Sequence, residues 1–139
     1  MGVYSHRERI SSRGDAAVVD LTPLAEEALA KSGLRKGILS AFVPGSTAAI
    51  TTIEFESGAI ADLRAAVERA VPRSIRYEHD KRWGDGNGYS HVRAALLKPG
   101  LAVPFENGRL MLGTWQQLVL VDFDNRPRER ELVFQLVGE

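Results

Sequence analysis

The side chains with the widest chemical range fall in one stretch, Tyr77-Glu-His79-Asp80-Lys-Arg-Trp83-Gly-Asp85-Gly-Asn87-Gly-Tyr89-Ser90-His91-Val-Arg93. It holds two of the three histidines of the chain. His79, Asp80, Asp85 and His91 are of the types that hold Zn²⁺, although a His-x11-His spacing matches none of the tight ligand motifs. The glycines at 84, 86 and 88 permit backbone at positive φ and interrupt regular structure. A polar, Gly-rich loop between two apolar segments is where a chain presents groups that meet a ligand. Its second half reads as a helix start with Ser90 as N-cap, which places His91 and Arg93 beside unpaired N–H groups that favour an anion. The plain alternative is a solvated loop.

Two further groups have polar chemistry and an equally plain alternative. Thr47, Thr51 and Glu54 lie on or near one polar strand face, which is ordinarily the solvent side. Gly113-Thr114-Trp115-Gln116-Gln117 offers an indole and two amides, and a tryptophan there is more often core or interface than a stacking platform. Arg126, Arg128 and Arg130 alternate and so share a strand face, either solvated or meeting an anion or a subunit partner. The chain contains no GxxxxGK[ST], GxSxG, HExxH or GxGxxG.

The elements that position these residues follow from periodicity and turn chemistry. Residues 3–12 and 16–21 read as a hairpin around a turn at Ser12–Asp15. Thr22 as N-cap and Pro23 at the first helical position open a helix with Leu24, Ala28 and Leu29 inward, closed by Lys31 and Gly33. A buried strand spans 37–44, with apolar residues on both faces (Ile38, Ala41 and Val43 against Leu39 and Phe42). After a bend at Gly45-Ser46-Thr47, a second strand covers 48–56, with Ile53 and Phe55 on one side and Thr52, Glu54 and Glu56 on the other. A helix at 62–71 carries Leu63, Ala66, Val67 and Ala70 and ends at Pro72. A short strand at 73–78 leads into the His-rich loop. The helix after Ser90 presents Val92, Ala95 and Leu96 and stops at Pro99-Gly100. Strands at 102–105, 109–112, 115–123 and 129–137 complete the chain, the first two joined by an Asn107-Gly108 hairpin turn. The expected class is α+β, about seven mostly antiparallel strands with two to three short helices in one domain over 1–139.

Composition excludes several roles. Eighteen basic and eighteen acidic residues cancel, so no net field draws the chain to nucleic acid or to an anionic membrane. There is no cysteine, hence no thiolate chemistry. No apolar run approaches the ~20 residues of a membrane span, and Met1–Arg9 lacks the apolar core of a secretory signal. A cytoplasmic location is the expectation.

Three segments taken together resemble the YjbQ-like family: Phe42-Val-Pro-Gly-Ser-Thr-Ala-Ala-Ile50 followed by Thr51-Thr-Ile-Glu54; Gly84-Asp-Gly-Asn87 with His91; and Asn107-Gly-Arg-Leu-Met-Leu-Gly-Thr-Trp-Gln-Gln-Leu-Val-Leu120. They run in the family's order along nearly the whole chain. The resemblance implies a β-sandwich with short helices, a homotrimer about a threefold axis, and a weak thiamine-phosphate synthase activity. That reaction joins hydroxymethylpyrimidine pyrophosphate to a thiazole phosphate with release of pyrophosphate. Many members carry a histidine where this chain has Gly45, so one candidate metal or phosphate ligand is absent, and relatives often have lysine at Arg93. On this reading His91, Glu54 and Asn87 carry the chemistry, and Ser46, Thr47, Ser90, Arg93, Trp115 and Gln116 contact a small phosphorylated ligand. Mg²⁺ or Zn²⁺ would sit on His79, Asp80, Asp85 and His91. The alternatives are a non-enzymatic binding protein for a phosphorylated or metal-bound ligand, and a metal-dependent hydrolase.

Overall fold

A computed structural model describes residues 1–139. In chain order it contains β1 (Gly2–Ser12), β2 (Ala17–Asp20), α1 (Thr22–Ser32), β3 (Gly37–Phe42), β4 (Ala48–Ile53), α2 (Ser57–Ala70), α3 (Glu78–Trp83), α4 (Gly88–Leu97), β5 (Gly100–Glu106), β6 (Arg109–Leu110), β7 (Gln117–Asp122) and β8 (Arg128–Gly138). The strands form two antiparallel sheets, one ordered β1-β8-β3-β5-β6 and the other β2-β7-β4. The expected α+β sandwich is present, with eight strands and four helices.

Alternation along the strands explains the layering. From the larger sheet Leu39, Ala41, Val43, Phe105, Leu132, Phe134 and Leu136 point inward. They meet Ala48, Ile50, Leu118 and Leu120 of the smaller sheet, with Ala25, Ala28 and Leu29 of α1 closing the rim. The opposite faces of β4 and β7 present Ala49, Val119 and Val121 to Val67 of α2 and Ala94 of α4. The run Leu118–Asp122 is thus buried on both sides. The layers are sheet, sheet, helices. On β3 the inward set is Leu39 and Ala41, continued by Val43 just beyond the strand, and Ile38 and Phe42 point outward, a strict alternation in place of the mixed grouping expected above.

Several local expectations are overturned by tertiary pairing. β1 and β2 do not form a hairpin: β1 lies along β8, from Gly2↔Gly138 to Ser12↔Arg128, and β2 pairs with β7. Leu21, not Thr22, caps α1, and the Thr22 hydroxyl accepts from the Leu118 N–H at 2.9 Å. β4 ends at Ile53 because Glu56 turns its carboxylate onto the N–H groups of Gly58 (2.5 Å) and Ala59 (3.0 Å), capping α2 from outside the strand. Residues 73–77 form no strand, and α3 lies where a loop was expected.

α4 is the most consequential difference. It starts after Asn87, and the buried face is Gly88, Tyr89, Ser90, Arg93 and Ala94, leaving Val92 and Leu96 exposed. The small residues at 90 and 94 let the helix approach β4. Arg93 is tolerated inside because the Val71 carbonyl accepts from its Nε (3.0 Å) and Nη2 (2.9 Å), and Glu68 pairs with it. No helix is long and apolar enough to cross a membrane.

Candidate functional site

At one end of the sandwich a cavity of about 480 Å³ opens where three chain segments meet. The bend after β3 contributes Gly45, Ser46 and Thr47, the start of β8 contributes Arg128 and Arg130, and the α3–α4 corner contributes His79, Trp83, Asp85, Asn87 and His91.

Its floor is a hydrogen-bonded charge network. Asp122 and Asp124, at the end of β7 and two residues on, are fully buried. Arg130 donates to Asp122 through Nε (2.7 Å) and Nη2 (2.8 Å), and Nη2 also donates to the Thr47 hydroxyl at 2.7 Å. The Thr47 hydroxyl in turn donates to Asp124 at 3.0 Å. Asp124 further accepts from Arg128 Nε (2.7 Å), the Asn125 N–H (2.8 Å) and Asn87 Nδ2 (3.4 Å). Burial pushes the Asp124 carboxyl pKa up, but the donors of Asn125, Thr47, Arg128 and Asn87 together outweigh it and hold the group below its ordinary 3.8. Both guanidiniums are therefore fixed through Nε, while Arg130 Nη1 and both terminal nitrogens of Arg128 have no protein acceptor. A Cβ at Gly45 would lie 3.3 Å from Arg130 Nη1, so the absence of a side chain there leaves that N–H open to the cavity.

The wall is built by α3 and α4. Of the three glycines expected to break regular structure, Gly84 and Gly86 do so, taking φ of 72° and 71° and swinging Asp85 back toward α3, whereas Gly88 is the first residue of α4. His79 Nδ1 lies 3.5 Å from an Oδ1 of both Asp80 and Asp85. Asp80 Oδ1 also accepts the Gly88 N–H at 2.8 Å. Only glycine allows this approach, since a Cβ at 88 would stand 2.5 Å from Tyr77 Cβ and 3.0 Å from Asp80 Oδ1. The rings of His79 and His91 face each other at 4.3 Å. Burial, then the neighbouring His79, push the His91 pKa below 6.5 against the pull of Asp124, Asp85 and Asp80, so its imidazole is neutral near pH 7 and available to take a proton.

Of the residues singled out by sequence, Ser46, Thr47, His79, Asp85, Asn87 and His91 line the cavity, with Asp80 beside His79. His79, Asp80 and Asp85 each bring one candidate ligand atom to within 4.8 Å of the others, and His91 stands next to that group rather than within it. Ser90 and Arg93 turn away. Ser90 is fully buried with its hydroxyl donating to the Phe123 carbonyl (2.5 Å) rather than capping α4, and Arg93 is spent on Val71 and Glu68. Glu54, Trp115 and Gln116 lie at the far end of β4, where Gln116 donates to Thr52 (3.1 Å) and Trp115 is exposed. Six strand residues separate them from Thr47, about 20 Å. Sequence reasoning missed Asp122, Asp124 and Trp83, and left Arg128 and Arg130 undecided. The available signal was Asp122-x-Asp124 followed by Arg128-x-Arg130: two period-2 pairs of opposite charge across one turn.

A sheet-on-sheet sandwich backed by helices, with a two-histidine, two-arginine cavity at one end, defines an α+β protein with a polar cleft. The chain belongs to the YjbQ-like family: the family model described as UPF0047 protein YjbQ-like matches residues 6–139. A UPF0047 protein of Methanothermobacter thermautotrophicus is 34% identical over 139 residues, covering 100% of this chain and 95% of the relative. UPF0047 protein YugU of Bacillus subtilis is 31% identical over 122 residues, 87% of this chain and 89% of the relative. Among solved structures, a YbjQ-like protein of unknown function from Sulfolobus solfataricus superposes with a TM-score of 0.89 at 30% identity, covering 99% of this chain and 100% of the other. An uncharacterised conserved protein from Clostridium acetobutylicum does so at 0.87 and 28% identity, covering 95% and 99%.

Proposed function

We propose that the cavity binds a small phosphorylated ligand, with Arg128 and Arg130 on phosphate oxygens and His91 as the proton-transfer group. The observation that carries this reading is the fixing of both guanidiniums by buried carboxylates while their remaining N–H groups point to open space. Such a fork is paid for in advance and matches a phosphate bidentately. Thiamine-phosphate synthase chemistry, implied by the family resemblance, is one reaction such a site serves. The arginines would neutralise charge growing on the departing pyrophosphate, and the neutral His91 would handle a proton. The same geometry serves a binding protein without turnover, and measuring pyrophosphate release from the two substrates separates the two.

Calorimetric titration with inorganic pyrophosphate tests the reading. Arg128→Ala removes a charged hydrogen-bonding group worth about 1.5–3 kcal/mol, so affinity should fall roughly 10- to 100-fold. His91→Ala should weaken binding with the melting temperature nearly unchanged. Equal affinity in the parent and Arg128→Ala would discard the reading.

The outer face of the larger sheet supports a homotrimer as its assembly. Val3, Val137 and Ile38 stand side by side in register and exposed, and four residues along the exposed Phe42 lies beside the half-buried Val133, with Ser5, Ser40 and Gln135 in the row between. Exposed apolar side chains grouped on one sheet face in this way are normally buried by association. Light scattering of the parent should give three times the 15.3 kDa chain, and Phe42→Asp should give a single chain. A monomeric parent at micromolar concentration would refute the assembly.

A further inference from the structure

We propose that His79, Asp80 and Asp85 bind one divalent transition-metal ion of the Zn²⁺ class, with His79 coordinating through Nδ1. The proposal deepens the phosphate reading by adding a cation to the same cavity, yet none of its ligands is an arginine, so each can fail alone.

The charge balance of the cavity is the first ground. Asp122 is paired with Arg130 and Asp124 with Arg128. Asp80 and Asp85 have no arginine or lysine within salt-bridge reach, only His79. Even protonated, His79 would balance one of these two carboxylates and leave the other uncompensated. A divalent cation balances both.

Distances are the second ground. His79 Nδ1 is 3.5 Å from each carboxylate, and the three donor atoms lie within 4.8 Å of one another. An ion with tetrahedral bonds of about 2.0–2.2 Å holds its ligands roughly 3.3–3.6 Å apart. The edges through His79 already have that length, and a small inward rotation of the exposed Asp85 would close the third.

Unsatisfied buried atoms are the third ground and separate this cluster from an ordinary acidic patch. His79 Nδ1 is shielded from solvent and makes no hydrogen bond. Asn87, only 6% exposed, lines the same cavity and has an amide oxygen that likewise lacks any donor. A metal ion uses the first as a lone pair, and a water in its fourth position supplies the O–H that the second lacks. The supporting contacts are also in place: the Gly88 N–H holds Asp80, and Asn125 Nδ2 holds the Asp85 carbonyl at 2.9 Å. One imidazole with two carboxylates selects a borderline ion such as Zn²⁺ over Mg²⁺ or Ca²⁺, which prefer all-oxygen sets. His91 stays outside the set, its ring centroid 4.3 Å from that of His79.

The test is equilibrium dialysis of the chelator-stripped full chain against Zn²⁺ alone, with metal counted per chain. The parent should take up one ion, and His79→Ala and Asp85→Asn should each weaken uptake at least tenfold. Asp85 is exposed, so its variant serves if His79→Ala fails to fold. Arg128→Ala should take up Zn²⁺ like the parent, which distinguishes this site from the phosphate reading. A stripped parent that takes up no Zn²⁺, or an Asp85→Asn variant that binds as the parent does, would overturn the proposal.

Discussion

Arg130→Ala is expected to leave the chain largely unfolded at temperatures where the parent is native. Removing this guanidinium strands Asp122 without its only cationic partner, fully buried, and takes a donor from Thr47. Breaking a buried pair from one side costs roughly 3–5 kcal/mol, a large part of the 5–15 kcal/mol typical of a domain. The pH dependence identifies the cause. In the parent, Asp124 has a depressed folded pKa, so its contribution is present above the unfolded value of 3.8 and lost as pH falls through the lower folded one. In Arg130→Ala the stranded Asp122 should have a raised pKa, so the deficit should shrink as pH falls toward its new value. Urea unfolding at neutral and mildly acidic pH measures both. A variant as stable as the parent at neutral pH would mean that the Asp122 charge is compensated in some other way.

Gly138→Ala should be comparably damaging for a steric reason. A Cβ at 138 would stand 2.1 Å from the Lys36 carbonyl oxygen and 3.0 Å from Gly37 Cα, both backbone atoms that cannot rotate aside. Gly37 and Gly138 are register partners, and mutual hydrogen bonds between Lys36 and Glu139 (2.9 Å each way) hold the strands together there. Overpacking ordinarily costs 1–3 kcal/mol; against immovable backbone about 3 kcal/mol or more is expected. The damage should reach the cavity, because the β3–β8 pairing runs on to Phe42↔Val133 and the chain beyond it brings Gly45 to Arg130. Gly33→Ala is the control: nothing lies within 4 Å of its Cβ position, and only its φ of 69° opposes the change, a penalty of about 1 kcal/mol. Equal melting temperatures for Gly138→Ala and the parent would show that the rim can open without loss.

Much of the fold was legible because it is local. The apolar run 37–44 located β3, alternation located β7, Pro23 and Gly33 bracketed α1, and Asn107-Gly108 made the hairpin turn with both residues at positive φ. Partner choice was not legible. The β1–β8 pairing joins residues more than a hundred positions apart, and no turn between them advertises it. The α4 face was misread for a related reason: Val92 and Leu96 are the more apolar choice, but the small Ser90 and Ala94 fit against β4 and Arg93 finds acceptors on α2. For the site, the His79–His91 stretch was visible as unusual composition. Its counterpart was not, since Asp122 and Asp124 sit in an apolar strand end where nothing local shows that two arginines will neutralise them.

The place of β1 in the larger sheet also sets a timetable. Its one neighbour is β8, made more than a hundred residues later, so for most of synthesis β1 has no strand to pair with. An unpaired strand of eleven residues is a template for pairing with the wrong chain. Arg7, Glu8 and Arg9 lie in its middle, where charge discourages such pairing during the wait. The cavity inherits the same delay: Arg128 and Arg130 arrive with β8, so Asp122 and Asp124 stay without their cationic partners until that last strand is made.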